Sequence, residues 1–251
     1  MRVSAEVMTA LSGATFDGPR LLLGGQLDRK VYAAVAKVIE AAGGKWNRRA
    51  GAHLFEGDAA DAIDPVLATG AVTSAKVELQ QFYTPPEVAS LAMAAADLRP
   101  GMTVLEPSAG RGALAAAAHL AGCLVDCVEL DERNVHLLCS VRYRSVTGGD
   151  FLAIPYDRPG APRYDRVLMN PPFARRADVR HVTHAAGFLK PDGRLVAIMP
   201  ASVEFVSFRE VVAFRDLVAA RGGSIRRLPE GAFKASGTAV STVLVTFGGA
   251  A

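Results

Sequence analysis

The residues with the most chemistry to offer are Asn170-Pro171-Pro172-Phe173, which follow directly on the strand-like segment YDRVLMN (164–170). Two successive prolines fix the backbone after Asn170 and remove two amide donors. The turn therefore presents acceptors, the Asn170 side-chain oxygen and the Pro171 carbonyl. Such a pair suits a planar amine with two hydrogens to donate, and adenine's exocyclic amine matches it. Phe173 adds a ring face for stacking, worth roughly 1–3 kcal/mol per base. Upstream, TVLEPSAGRGALA (103–115) runs from an apolar strand through Gly110 and Gly112 into a helix. Open parallel sheets bind nucleotides at such a turn, where glycine lets a ligand approach the backbone. About twenty residues on, CLVDCVELDERN ends its strand in Glu129, a carboxylate able to accept from both ribose hydroxyls. GGDFLAI then offers Asp150 to an exocyclic amine and Phe151 as a face for a purine. Taken singly, a glycine turn is often a tight connection and a Pro-Pro turn a rigid loop. In this order they indicate an adenosine-bearing ligand beside an amine pocket. A nicotinamide cofactor is disfavoured because the full GxGxxG is missing, and GxxxxGK[ST] is absent.

These residues need a sheet to position them. From residue 82 onward strands and helices alternate, which predicts an α/β, mostly parallel sheet covered by helices. Strands are expected near 102–106, 124–129, 144–148, 165–170, 193–200, 224–229 and 240–247. The last two should pair antiparallel, because 231–238 has no helical periodicity. Before this lies a small α+β segment with a short strand at LLLGG and a helix carrying Val31, Val35, Val38 and Ile39. A hairpin around 49–51 and a helix capped by Asp58 follow. The division expected is 1–78 for the small domain and 79–251 for the larger one. At 251 residues, half of them apolar, the chain is a globular protein of one or two domains. Its net charge of +3 permits a nucleic-acid partner without establishing one. Up to Gln80 there are nine basic and nine acidic residues, yet Lys45, Arg48 and Arg49 cluster beside the only tryptophan, Trp46.

Cys123, Cys127 and Cys139 are odd in number and form no CxxC, which argues against a disulfide framework or a zinc ribbon and for a reducing compartment. No run approaches the ~20 apolar residues of a membrane span, so a cytoplasmic protein without membrane contact is expected. The five histidines (His53, His119, His136, His181, His184) show no metal spacing, and His181 and His184 are expected on a helix surface.

In the order QFYTPPEVA, VLEPSAGRGAL, VELDERN, GDFLAI, MNPPF and FKASGTAVSTVLVTF, the sequence resembles the S-adenosylmethionine-dependent N6-adenine DNA methyltransferases over about residues 79 to 248, with the element order of their gamma group. The resemblance implies a class I methyltransferase (Rossmann-like) fold, a seven-stranded sheet with an antiparallel last strand, and S-adenosylmethionine as cofactor. Carried over by position, it implies that Tyr83, Thr84 and Pro85 flank the methionine end, with Thr84 near its carboxylate. Glu106, Ser108, Gly110 and Gly112 would line the methionine pocket, Glu129 would take the ribose, and Asp150 with Phe151 the adenine. Asn170, Pro171, Pro172 and Phe173 would hold the target base, with Phe233 as a second aromatic on it.

The implied chemistry needs neither metal nor covalent nucleophile. The amine lone pair must align with an already activated methyl. A target paired in duplex DNA would be flipped out at a cost of a few kcal/mol. Arg175, Arg176 and Arg180 after the turn, and Lys45, Trp46, Arg48 and Arg49 in the small domain, are the candidate DNA contacts. Gamma-group enzymes usually carry a large target-recognition region after the catalytic domain, whereas this sequence reaches Ala251 soon after its last strand. Either the N-terminal segment and inserted loops such as 201–223 read sequence, or recognition is relaxed, as in an orphan or phage-type enzyme. NPP[FY] also occurs in enzymes methylating guanine amines of ribosomal RNA and glutamine amides of release factors. A non-catalytic subunit that docks DNA through the same fold is the alternative from another class.

Overall fold

A computed structural model describes residues 3–71, 83–233 and 240–249. Gln81 and Phe82 of the first resemblance element, and 234–239 of the last, lie outside the described residues. The chain divides into two compact units, and the division is not the single cut expected near residue 78. The first unit comprises 1–80 together with 173–176 and 200–215; the second comprises 81–172, 177–199 and 216–251.

In chain order the first unit starts with α1 (Ala5–Ser12), β1 (Thr15–Asp17), β2 (Arg20–Leu22), α2 (Arg29–Ala41), β3 (Lys45–Asn47), β4 (Ala52–Leu54) and α3 (Ala59–Thr69). The four strands form one antiparallel sheet in the order β1-β2-β4-β3. Helix α2 starts where Asp28 accepts from the Lys30 amide, and it buries Val35, Val38 and Ile39 as its periodicity requires. The expected hairpin is β3–β4. Asn47 Oδ1 accepts from the Ala50 amide at 2.9 Å, and the register sets Trp46 opposite His53. Asp58 caps α3 by accepting from the Asp61 amide at 3.0 Å.

The second unit contributes α4 (Pro86–Ala96), β5 (Thr103–Glu106), α5 (Ala113–Leu120), β6 (Leu124–Glu129), α6 (Glu132–Cys139), β7 (Ser145–Gly148), β8 (Tyr164–Met169), α7 (Ala177–Ala185), β9 (Leu189–Pro200), α8 (Arg209–Ala220), β10 (Ser224–Arg227) and β11 (Thr242–Gly248), with β9 and α8 running across the division. Seven strands align in the order β10-β11-β9-β8-β5-β6-β7. The pairs β5–β6, β6–β7, β5–β8 and β8–β9 are parallel, and β10–β11 is antiparallel. All seven expected strands are present. Val104, Val125, Cys127, Leu168, Val196 and Ile198 from the strands, with Ala92, Leu114, Ala115 and Ala118 from α4 and α5, form its core.

Two expectations need correction. The segment 201–223, read as an inserted loop, is a short 3-10 turn at Ala201–Glu204 followed by the twelve-residue α8. Val211, Phe214 and Val218 repeat there at helical spacing and are buried. His181 and His184 do not sit on a free helix surface. His184 packs edge-on to Phe151 with ring centroids 4.9 Å apart and contacts the Ile154 carbonyl at 2.8 Å, and burial pulls the His181 pKa below its usual value. Among the described residues no helix is long and apolar enough to cross a membrane.

Candidate active site

The strand order places a crevice before any ligand is considered. From β5 the chain proceeds outward to β6 and β7, then returns to add β8 and β9 on the other side of β5. Open sheets bind ligands at the carboxyl ends of the strands flanking such a reversal. Here those ends are Glu106 of β5, Glu129 of β6 and Met169 of β8, with Asn170 the next residue.

Both acidic strand ends are buried and tied to the glycine turn. Glu129 accepts from the Gly110 amide at 2.6 Å and from the Asp131 amide at 2.8 Å. Glu106 accepts from the Ala115 amide at 2.5 Å in the first turn of α5, where the helix dipole favours a carboxylate. Burial nevertheless drives the Glu106 pKa well above its ordinary value. The Ala115 bond opposes that rise, and the nearby Glu129 charge adds to it. Gly110 and Gly112 both have positive φ, 54° and 81°. A side chain at Gly112 would meet Leu138 at 2.8 Å, so this glycine is required by packing as well as by backbone angle. Above Gly110 the nearest atom is Tyr83 Cδ1 at 4.0 Å, which leaves its backbone approachable. Ser108 is half-buried in the same turn. Asp150 caps the short 3-10 turn Phe151–Ala153 by accepting from the Leu152 amide. Phe151 is buried among His181, His184 and Phe188, so it forms an inner wall and not an open stacking face.

Asn170 follows the fully buried Val167, Leu168 and Met169. Its amide Nδ2 donates to Thr84 Oγ1 at 3.1 Å, so the YTPP and NPPF elements meet although 86 residues separate them. Pro85 caps α4 and Pro86 opens it, a stiff start that holds Thr84 in place. The chain passes to the first unit between Pro172 and the largely buried Phe173. Arg111 went unnoticed in the sequence although it stands between the two glycines; its guanidinium lies 4.1 Å over the Tyr83 ring.

Three further expectations fare differently. Arg180 and Arg175 are exposed. Arg176 is not available to a phosphate. It is buried in the first unit, where its guanidinium meets Asp61 at 2.8 Å and Glu210 at 3.2 Å and its amide donates to Asp64 at 3.0 Å. Phe233, expected against the target base, is fully buried in the core of the second unit. Lys45, Trp46, Arg48 and Arg49 are exposed on the first unit.

Solved structures share this architecture. A type I restriction-modification methyltransferase subunit from Streptococcus thermophilus matches with a TM-score of 0.58 at 19% identity, covering 77% of this chain and 49% of that one. A protein from Listeria monocytogenes described as a class I S-adenosylmethionine-dependent methyltransferase matches with a TM-score of 0.53 at 18% identity, covering 70% of this chain and 64% of its own. The fold is that of the class I methyltransferases. A protein from Vibrio vulnificus described as a modification subunit of a type I restriction enzyme matches over 96% of this chain and 60% of that one, with a TM-score of 0.58 at 17% identity. The chain thus spans between about half and two thirds of the length of these methyltransferase-fold structures. No family model matches the sequence, and no curated protein does.

Proposed function

We propose that this methyltransferase-fold protein transfers a methyl group from S-adenosylmethionine to the exocyclic N6 of a flipped adenine in duplex DNA. The observation that carries the reading is the Asn170–Thr84 hydrogen bond, which joins the amine-binding turn to the element assigned to the cofactor's methionine end. Because Thr84 Oγ1 accepts from Asn170, its own hydrogen remains to donate to a carboxylate.

The surrounding residues fit the cofactor. Gly110 is open above its backbone, and Glu129 stands as a buried carboxylate at the end of β6 for the two ribose hydroxyls. Asp150 would accept from the adenine amine, with Phe151 as inner wall. Tyr83, Pro85, Glu106, Ser108 and Gly112 would surround the methionine end. When bound, S-adenosylmethionine supplies a methyl already activated on a sulfonium. Asn170 Oδ1 and the Pro171 carbonyl would accept the target amine's two hydrogens, drawing its nitrogen toward tetrahedral geometry and turning the lone pair toward the methyl. Pro172 keeps the turn rigid, and Phe173 would stack on the base. Arg175 and Arg180 remain as phosphate contacts beside the turn, and Lys45, Arg48 and Arg49 as a second set, with Trp46 among them as an aromatic able to stack.

The test is transfer of labelled methyl to unmethylated duplex DNA, with ribosomal RNA and total protein as parallel acceptors and mass spectrometry of the product nucleosides. N6-methyladenine in DNA is the expected product. Label in RNA or protein would move the substrate to a guanine or glutamine amine, and no label with cofactor still bound would favour a docking subunit. Asn170→Ala should abolish transfer, because it removes an acceptor for the target amine, while cofactor affinity should fall far less, through loss of the Nδ2 bond that steadies Thr84. Asp150→Ala should weaken cofactor binding in calorimetry.

A further inference from the structure

The basic and acidic residues of the first unit are segregated. Residues 20–53 contain seven Lys or Arg against two Asp or Glu, whereas 56–64 contain Glu56, Asp58, Asp61 and Asp64 and no basic residue. The acidic stretch supplies Asp58, Asp61 and Asp64 as partners of Arg176. The basic stretch carries an exposed aromatic pair, Trp46 at 55% and Tyr32 at 40%.

Both rings line a pocket of about 180 Å³, together with Leu22, Leu27 and His53. That is below the ~300–1,000 Å³ usual for drug-sized ligands and suits a single flat group. His53 is only 3% exposed, and its Nε2 has no hydrogen-bond partner among the described residues. A buried polar atom costs free energy unless it is paired, so a partner that enters the pocket and meets Nε2 recovers that cost. Trp46 and His53 face the same side because they are register partners on β3 and β4, with ring centroids 5.1 Å apart. The turn joining these strands carries Arg48 and Arg49, both exposed, and Lys45 stands beside Trp46 on β3, the edge strand.

We infer that the first unit is a second nucleic-acid site, which takes one unpaired DNA base between Trp46 and Tyr32, reads its edge with His53, and holds the flanking phosphates with Lys45, Arg48 and Arg49. Stacking aromatics interleaved with cations are the general means of binding single strands. The choice of DNA rests on the function proposed above; the aromatic pocket stands on its own geometry.

Trp46 is the only tryptophan, so the full-length protein reports on its own site. Titration with a single-stranded ten-residue oligodeoxynucleotide should quench its fluorescence, and the same sequence as a blunt duplex should quench markedly less. With a labelled oligonucleotide read by anisotropy, Trp46→Ala should weaken single-strand binding by about five- to a hundred-fold. Trp46→Phe, which keeps a ring, should stay within about three-fold of wild type. His53→Leu should weaken binding by about three- to ten-fold. Equal quenching by duplex and single strand, or unchanged single-strand affinity in Trp46→Ala, would overturn the unpaired-base site. The methyl-transfer assay separates the two readings. Quenching by single strands without any methylated DNA would retain this site and refute the proposed reaction, whereas methylated DNA without quenching would do the reverse.

Discussion

Two arginine-bearing turns of the first unit look alike in sequence and differ in what they can do. Arg48 and Arg49 lie in the β3–β4 turn, and Arg175 and Arg176 follow the Pro-Pro turn; both pairs invite assignment to DNA phosphates. In the first pair both residues are exposed. In the second, Arg176 is enclosed by Asp61, Asp64 and Glu210 and lies 5.2 Å over the Phe208 ring. The difference shows that a basic doublet is a binding patch only where the fold has not placed acids against it. It also explains the cost accepted at this turn. Arg175 and Arg176 both adopt left-handed backbone angles, φ 53° and 56°, a conformation worth roughly 1–2 kcal/mol of strain per residue. The ion pairs of the buried Arg176 guanidinium with Asp61 and Glu210, and the bond from its amide to Asp64, tie the turn in that shape.

The largest effect that would break this comparison is expected from Arg176→Ala. Removing one partner from a buried pair costs about 3–5 kcal/mol. Because Asp61 and Glu210 are themselves about half exposed, roughly 2–3 kcal/mol is expected here. Calorimetry should show a lower unfolding temperature, while DNA affinity measured well below that temperature should barely change. A variant that melts like wild type but has lost DNA affinity would return Arg176 to the phosphate contacts.

A smaller effect, and one confined to binding, is expected from replacing Arg48 and Arg49 together by alanine. Each phosphate contact contributes about 0.7 to the slope of log affinity against log salt on single-stranded DNA. The double variant should lose up to about 1.4 units of slope on a single strand, with unfolding temperature and cofactor affinity unchanged. An unaltered slope would mean that these arginines are only a solvated turn.

At the buried end of the scale, Glu106→Gln is expected to be neutral or mildly stabilising. The amide oxygen can still accept from the Ala115 amide, while the charge that burial and Glu129 both oppose is gone. Loss of more than about 1 kcal/mol in urea denaturation would show that the charge itself is required.

What the sequence disclosed follows the same division between local and distant causes. The central strands were legible because β5, β6, β8 and β9 are largely apolar runs that end at an acid or a proline-bearing turn, and Glu129 and Asn170 could be placed because strand ends are local features. The caps at Asp28 and Asp58 were local too. Helix α1 was missed because Ala5–Ser12 buries little beyond Val7 and Leu11. Helix α8 was missed although its spacing was visible. The fate of the Arg176 guanidinium depends on Asp61 and Glu210, both far from it in sequence, and the burial of Phe233 on strands that no neighbouring pattern names. The Asn170–Thr84 bond is of this kind as well: both motifs could be read, but not that they touch.

The smallest effect concerns acid rather than arginine and sharpens the comparison at the pocket floor. Burial holds His53 below the ordinary histidine pKa, so the folded state keeps it neutral where the unfolded chain would take a proton. Its contribution to stability is therefore present above about pH 6.5 and declines as the pH falls below that value. Half-buried His181 acts in the same direction in the second unit. Urea denaturation at pH 7.5 and 5.5 should find the wild type weaker at the lower pH, and His53→Leu should remove part of that difference. If His53→Leu left the pH dependence unchanged, His53 would have to be solvated when folded, and the unpartnered nitrogen on which the base pocket depends would be lost with it.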